Sequence, residues 1–373
     1  MTSVKLKTLT PVHIGSGREL ARDVEFLQWN NEIGVIDEKK TLEIIGEENI
    51  GTWVAIIESQ EPLLNYLTTI KKNLKLMDVC KYTMPLYANK YSQTRTLKEQ
   101  LRNGTGKPYI PGSSIKGAIR TALLNIFLGK LQRNWREDEL KNKRGNFSDK
   151  AVQSIIFGKD PNHDFMRFLK TGDALFSNDS MIVLSVLSLN YLNGQTKRDE
   201  KLLQLTETIE YDFDTEFRMK LDLDLWQKNI EFGIIRKEIP DFLKDLPSLF
   251  KVLNDFTASL LQKEIEFWEE DAEIDAVYEY IDDCQQLLED CKNCRENEAV
   301  LRLGHGSGWL FMTGGWVKNP TFINDKGKDS LYEKIIDKTR PKNKFYKDYF
   351  FPKTRRMDED GELLGFVKLE ANI

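Results

Sequence analysis

Cysteine and histidine are scarce, four and three in 373 residues. Four cysteines cannot staple a chain of this length, so a disulfide scaffold is excluded and a reducing compartment is expected. The opening residues, Met-Thr-Ser-Val-Lys-Leu-Lys, lack the apolar core of about 7–15 residues that a secretory signal needs. The most apolar stretch, 181–189, is about half a membrane span and is interrupted by Ser185 and Ser188, so no transmembrane helix is expected. Several motifs are missing as well: the P-loop ending, the dinucleotide fingerprint, the Gly-x-Ser-x-Gly elbow, the His-Glu-x-x-His pair and the kinase set. What is present is enough apolar side chain for a core, 40% of residues, with 30% charged. The chain reads as a soluble cytoplasmic protein of two domains, or of one domain with large insertions, with no membrane partner.

A net charge of −5 argues mildly against a nucleic-acid binder. The mean hides a segregation. Residues 90–150 carry 14 Lys and Arg against 5 Asp and Glu, 199–298 carry 11 against 28, and 318–356 carry 12 against 5. Two basic segments flank an acidic one. Each alone is ordinary solvated surface; together they allow a basic face with an acidic insert elsewhere.

Alternation of Val4, Leu6 and Thr8 predicts a half-buried strand running into Leu9-Thr-Pro-Val-His-Ile-Gly-Ser-Gly17, whose end reads as a loop. Residues 24–36 predict strand with a turn at Asn30-Asn31, and 42–76 predict helix. Tyr109-Ile110 can end a strand before Pro-Gly-Ser-Ser, where Ser113 or Ser114 can cap a helix. Ile115, Ala118, Ile119, Ala122, Leu123 and Ile126 then share one helical face. Residues 137–149 read as a mobile loop, and 165–176 and 181–189 as strands. Residues 208–223 read as a hairpin turning at Asp214-Thr215. Residues 241–298 read as helical, with Ile274, Val277, Ile281, Cys284, Leu288 and Cys291 stepping by three and four. Strands and helices are interspersed without regular βα alternation, which makes the class α+β.

Three places could carry chemistry. At Gly112-Ser-Ser-Ile-Lys-Gly-Ala-Ile-Arg120 a helix start offers free N–H groups to a phosphate, with Lys116 and Arg120 stacked one turn apart. The plain alternative is a capped helix with two surface cations. At Gly304-His-Gly-Ser-Gly308 alternating glycines can wrap a backbone and turn N–H groups toward an anion. A bulky residue at Gly306 is expected to block that approach while sparing the core. The third is Cys291-x-x-Cys294 near His305, which invites zinc, but Cys284 and Cys291 fall on the helical seam where cysteine packs as a small apolar residue. His13 and His305, both beside glycine-rich loops, are the material for an acid–base pair, although nothing in the sequence places them within reach of each other.

These motifs, in this order, resemble those of the RAMP superfamily of CRISPR proteins. Leu9 to Gly17 is similar to its N-terminal motif. Tyr109-Ile-Pro-Gly-Ser-Ser-Ile-Lys-Gly-Ala-Ile-Arg-Thr-Ala-Leu-Leu124 is similar to its internal motif, and Gly304 to Gly308 to its C-terminal glycine-rich loop. Within the superfamily, the length, the Arg302–Trp309 form and the acidic insert are most similar to the crRNA 3′-end capping subunit of type III-A Csm effector complexes. The resemblance implies a modified RRM-like, ferredoxin-type core with a large helical insertion. Residues 1–198 would form the N-terminal part of the core with an RNA-facing basic segment. Residues 199–298 would form a strand hairpin plus acidic helical insert, and 299–373 would complete the core. It implies a non-catalytic subunit that binds crRNA, supports crRNA maturation and assembly in antiviral defence, and adjoins the repeating backbone RAMP subunit and the small helical subunit. Host 3′ exoribonucleases are a candidate partner. No residue maps to the Asp with which backbone subunits cut target RNA. The implied RNA contacts are His13, Gly15, Ser16, Gly17, Ser113, Ser114, Lys116, Arg120, Gly304, His305, Gly306, Ser307 and Gly308, with no metal and no cofactor. The alternative is a metal-independent RNA-processing endoribonuclease of the same superfamily using His13 or His305.

Overall fold

The computed structural model describes residues 1–88, 94–131, 135–192, 195–271, 274–312, 335 and 354–372. Most of the basic segment 318–356 lies outside the described residues.

In chain order, β1 (Thr2–Thr8), β2 (Gly15–Ala21), β3 (Phe26–Trp29) and β4 (Glu32–Ile36) lead into α1 (Glu38–Ile45), α2 (Ile50–Ser59) and α3 (Leu63–Ile70). β5 (Cys80–Tyr87), β6 (Thr96–Gln100) and β7 (Tyr109–Ile110) precede α4 (Gly112–Lys130) and α5 (Lys150–Ile156). Then come β8 (Leu169–Thr171), β9 (Ala174–Leu175), β10 (Met181–Leu192), β11 (Gln195–Ile209) and β12 (Asp214–Leu221). The last part holds α6 (Leu223–Glu231), α7 (Leu246–Asp271), α8 (Ile274–Lys292), β13 (Glu298–Arg302), β14 (Thr354–Asp358) and β15 (Phe366–Ala371).

Local chemistry explains most of these. Val4, Leu6 and Thr8 are buried on β1, as the alternation requires. The β3–β4 turn uses Asn30 at φ 52°, a conformation asparagine tolerates. Asp37 caps α1 by accepting from the Lys39 and Lys40 N–H groups. On α4 the buried apolar side chains are Ile115, Ile119, Ala122, Leu123, Leu124, Phe127 and Leu128, so the buried stripe takes in Leu124, Phe127 and Leu128 beyond the predicted face and leaves Ala118 and Ile126 only half-buried. Trimming a residue such as Leu123 to alanine would cost about 2–5 kcal/mol.

One antiparallel sheet has the order β13-β15-β1-β12-β8. Its β15-β1-β12-β8 portion, with α4 after β1 and α7 after β12, is the ferredoxin-type βαββαβ arrangement. α8 and β13 are inserted before the closing strand. The expected RRM-like core with added helices is therefore present. α7, however, is no appended insert: Leu249, Phe250 and Leu253 share a core with α4 and the sheet. Only its later half, through Leu261, Ile265 and Trp268, packs with α8 on a second core. The sheet draws strands from all three sequence segments, 1–198, 199–298 and 299–373. The outer edge of β13 is closed by α7, where Asn254 pairs with the Val300 N–H and the Glu298 carbonyl and Thr257 donates to the Val300 carbonyl.

A second sheet runs β2-β6-β11-β10-β5-β4-β3, with β14 also on β10. Here the sequence expectations need correction. Gly15 to Gly17 opens β2 rather than forming a loop, and a register shift between Gly15 and Glu19 absorbs the glycines. Residues 208–223 are not a hairpin: β11 pairs with β10, β12 pairs with β1, and the chain changes sheets at Asp212, φ 64°. Alternation reveals a strand but not its partner. Residues 137–149 are not a bare loop: a short helical turn spans Asp138–Leu140, Leu140 is buried and Lys141 bridges to Phe147. Residues 165–168 form a tight helical turn before two short strands. The α8 seam is as expected through Val277, Ile281, Cys284, Leu288 and Cys291.

Candidate nucleic-acid interface

Residues 9–14 run between the two sheets and are stitched to four segments by hydrogen bonds. Leu9 and Thr10 donate to the Phe366 carbonyl, and Val12 and Ile209 exchange a pair. The Pro11 carbonyl accepts from Gly365, and the His13 carbonyl accepts from His305 at 2.8 Å. The Ile14 N–H is held by the Gln100 side chain at 2.8 Å, and the amide of that side chain reaches the Tyr109 carbonyl at 3.3 Å. The three motifs picked out in the sequence are thereby tied together. His13 and His305 touch, Gln100 bridges His13's neighbour to Tyr109 in β7, the short strand before α4, and the glycine-rich loop closes over them.

Beneath this junction lies Glu207, fully buried, a residue the sequence reading passed over. Its carboxylate accepts from the Gln100 N–H at 3.0 Å and the Tyr82 hydroxyl at 3.2 Å, with Arg102 at 3.8 Å. Burial outweighs these partners and pushes its pKa up to about 7. A glutamate at an inward position between Leu205 and Ile209 was the available signal. Its carbonyl accepts from Nδ1 of His13 at 2.6 Å, which makes Nδ1 the protonated nitrogen of a neutral ring. His13 is 2% exposed, and burial lowers its pKa to about 4.

The His305 ring meets His13 edge to face, centroids 5.7 Å apart, and burial lowers it to about 4 as well, with Lys98, His13 and Arg356 adding. Its Nε2 is buried without a hydrogen-bond partner among the described residues. Both rings are neutral at physiological pH and titrate far from it, which suits packing better than proton transfer. His305 faces His13, not Cys291 or Cys294. Cys284 and Cys291 are buried in the α7–α8 core, and Cys294 donates to the Asp290 carbonyl.

The glycines divide by use. Gly304, φ 81°, would put a Cβ 2.5 Å from the His13 carbonyl oxygen, so its smallness serves the junction itself. Gly306, φ 84°, would press on Leu364 at 3.1 Å, so a bulky residue there disturbs packing rather than sparing it. Buried Arg302 braces the turn by donating to the Leu364 and Gly306 carbonyls, and the Ser307 hydroxyl donates to Gly304. Gly17 and Gly308, φ 89° and 75°, have no described residue within 4 Å of where a Cβ would stand, and Gly15 is exposed. Ser16 donates to Glu99. Gly17 and Gly308 are the places where a foreign backbone can come close.

The α4 start differs from its expectation. Neither serine caps it; Pro111 precedes the first turn and Asp173 accepts from the Gly112 N–H at 2.8 Å. A Cβ at Gly112 would sit 2.4 Å from the Thr171 carbonyl, so the close backbone is the chain's own. Ser113 is exposed and Ser114 half-buried. Arg120 is committed: it binds Asp164 at 2.7 Å and Gln153 at 2.9 Å, and stacks on Phe157 at 3.8 Å. Lys116 faces a separate groove that none of the loop residues lines. No helix of the described residues is long and apolar enough to cross a membrane.

Comparisons agree with this architecture. A protein from Methanocaldococcus jannaschii described as CRISPR system Cms protein Csm5 is 24% identical over 316 residues, 83% of this chain and 72% of its own. One of the same description from Streptococcus thermophilus is 23% identical over 285 residues, 71% and 75%. Among solved structures, a chain of a Csm–crRNA–target RNA ternary complex of a type III-A CRISPR-Cas system aligns over 99% of this chain and 100% of its own, with TM-score 0.71 and 25% identity. The crystal structure of T. onnurineus Csm5 aligns over 97% and 99%, with TM-score 0.63 and 20% identity, a likeness of fold. The RAMP superfamily model matches residues 5–370, a span that takes in the stitched junction and both sheets, and the chain therefore belongs to the RAMP superfamily.

Proposed function

We propose that this chain is a non-catalytic, crRNA-binding subunit of a type III-A CRISPR effector complex, seated at the 3′-end side of the crRNA. Its partners there are the repeating backbone RAMP subunit and the small helical subunit, and it supports crRNA maturation in antiviral defence. The observation that carries the reading is the alignment of nearly the whole chain with a chain taken from a Csm–crRNA–target RNA complex. The junction of the His13 segment with the 304–308 loop, with room for a close backbone at Gly308, supports an RNA contact there. The test is affinity purification of a tagged chain from its host with mass spectrometry and small-RNA sequencing. The reading expects the other Csm subunits and crRNAs of defined 3′ ends; a chain that purifies without either would defeat it.

The runner-up, a metal-independent endoribonuclease, has one observation in its favour, the contact between His13 and His305. Burial of both rings and the fixed Nδ1 proton of His13 weigh against it. Incubation with repeat-containing RNA in EDTA decides: cleavage lost on His13→Ala or His305→Ala would favour the enzyme.

A further inference from the structure

A groove of about 470 Å³ opens beside α4, walled by α5 and the 158–167 turn. Each carboxylate that lines it has a hydrogen-bond partner, and so does Arg167, which donates to the Asn162 carbonyl at 2.8 Å. Asp164 holds Arg120, Asp160 holds the His163 ring at 2.7 Å, and Asp149 accepts from Gln153 at 2.6 Å. Lys116, Lys150 and Lys159 also line the groove, and among the described residues none of them has an ion pair or side-chain hydrogen bond. Lys150 and Lys159 are exposed. Lys116 is half-buried, and burial holds its pKa below the ordinary lysine value despite Asp164.

The walls are closely packed. Arg120 is clamped as described above, and Gly158, φ 138°, packs so closely that a Cβ would lie 2.1 Å from the His163 carbonyl. The three lysines come from three elements, α4, the start of α5 and the turn after it, around an open groove that no aromatic side chain of the described residues lines. Such a site meets successive phosphates and does not read bases.

We infer that this groove carries a phosphodiester segment of single-stranded RNA, with Lys116, Lys150 and Lys159 as phosphate contacts and Arg120 as a positioning residue. The inference rests on the RNA-binding reading and adds two contacts outside the motifs. It also moves Arg120 from the ligand to the wall.

The experiment uses the full chain, a fluorescent oligouridylate and anisotropy between about 50 and 200 mM salt. Lys150→Ala with Lys159→Ala should lower the salt slope by about 1.4, roughly 0.7 per phosphate contact, and weaken binding about tenfold at physiological salt, with an unchanged melting temperature. Arg120→Lys should keep the slope and lower the melting temperature. A double variant that binds with wild-type slope and affinity, while wild type binds RNA, would overturn the groove and leave the RNA reading intact. Wild type that binds no RNA would overturn both. Inorganic phosphate that binds wild type but not the double variant, whose RNA binding is unchanged, would make this a free-anion site and also overturn the inference.

Discussion

Replacing Gly304 with alanine tests whether the loop's glycines serve the chain or a ligand. At φ 81° an L-residue pays about 1–2 kcal/mol for the left-handed conformation. The added Cβ would lie 2.5 Å from the His13 carbonyl oxygen, and relieving that contact pulls apart the His305-to-His13 hydrogen bond beside it. A buried bond of this kind contributes about 1 kcal/mol. The sum is about 2–3 kcal/mol. With an unfolding entropy of about 2.1 cal/mol/K per residue over 373 residues, the melting temperature should fall by roughly 3–4 °C. Gly308→Ala incurs only the conformational cost, because no described residue stands within 4 Å of its Cβ, and should fall by roughly 1–3 °C. Thermal melts followed by circular dichroism measure both. Equal losses, or a Gly304→Ala protein as stable as wild type, would refute the assignment of Gly304 to the junction.

Arg355→Met strands Glu264 in the α7–α8 core, where Arg355 now pairs with it at 2.8 Å, and should cost about 3–5 kcal/mol by urea denaturation. Glu207 has a folded pKa of about 7 against 4.5 unfolded, so its contribution is full below pH 4.5 and lost as pH rises through 7. Glu207→Gln should therefore gain stability relative to wild type between pH 5 and pH 8; a pH-independent difference would contradict this. His13 runs the other way: lowered from 6.5 to about 4, it contributes above pH 6.5 and loses that contribution as pH falls through 4. His13→Asn should flatten the acid side of the stability profile. Burial pushes Cys80 and Cys291 up to about 12 and Cys294 to about 11, so iodoacetamide at pH 8 should label half-buried Cys294 first and the others only on unfolding.

The sequence carried the elements better than their partners. Periodicity announced β1, α4 and the α8 seam because each buries one face. It could not say that β11 and β12 belong to different sheets, since alternation looks the same on either. The motifs were legible, but their uses were not. Gly304 and Gly306 read as space for a ligand, yet the neighbours that need the space, His13 and Leu364, are 291 and 58 residues away in the chain. Lys116 and Arg120 read as a pair because they are one turn apart. Only the fold reveals that Asp164 and Gln153 claim Arg120 and leave Lys116 open. Glu207 went unnoticed because a glutamate in an alternating strand ordinarily faces water.

The central claim is the chain's seat at the crRNA 3′ side, and photocrosslinking in the assembled complex tests it most directly. A crRNA carrying 4-thiouridine near its 3′ end should crosslink to this chain, with peptides from 149–167 or 304–312 among the adducts, while the same probe near the 5′ end should not. Crosslinks from the 5′ probe alone, or from neither, would contradict the account.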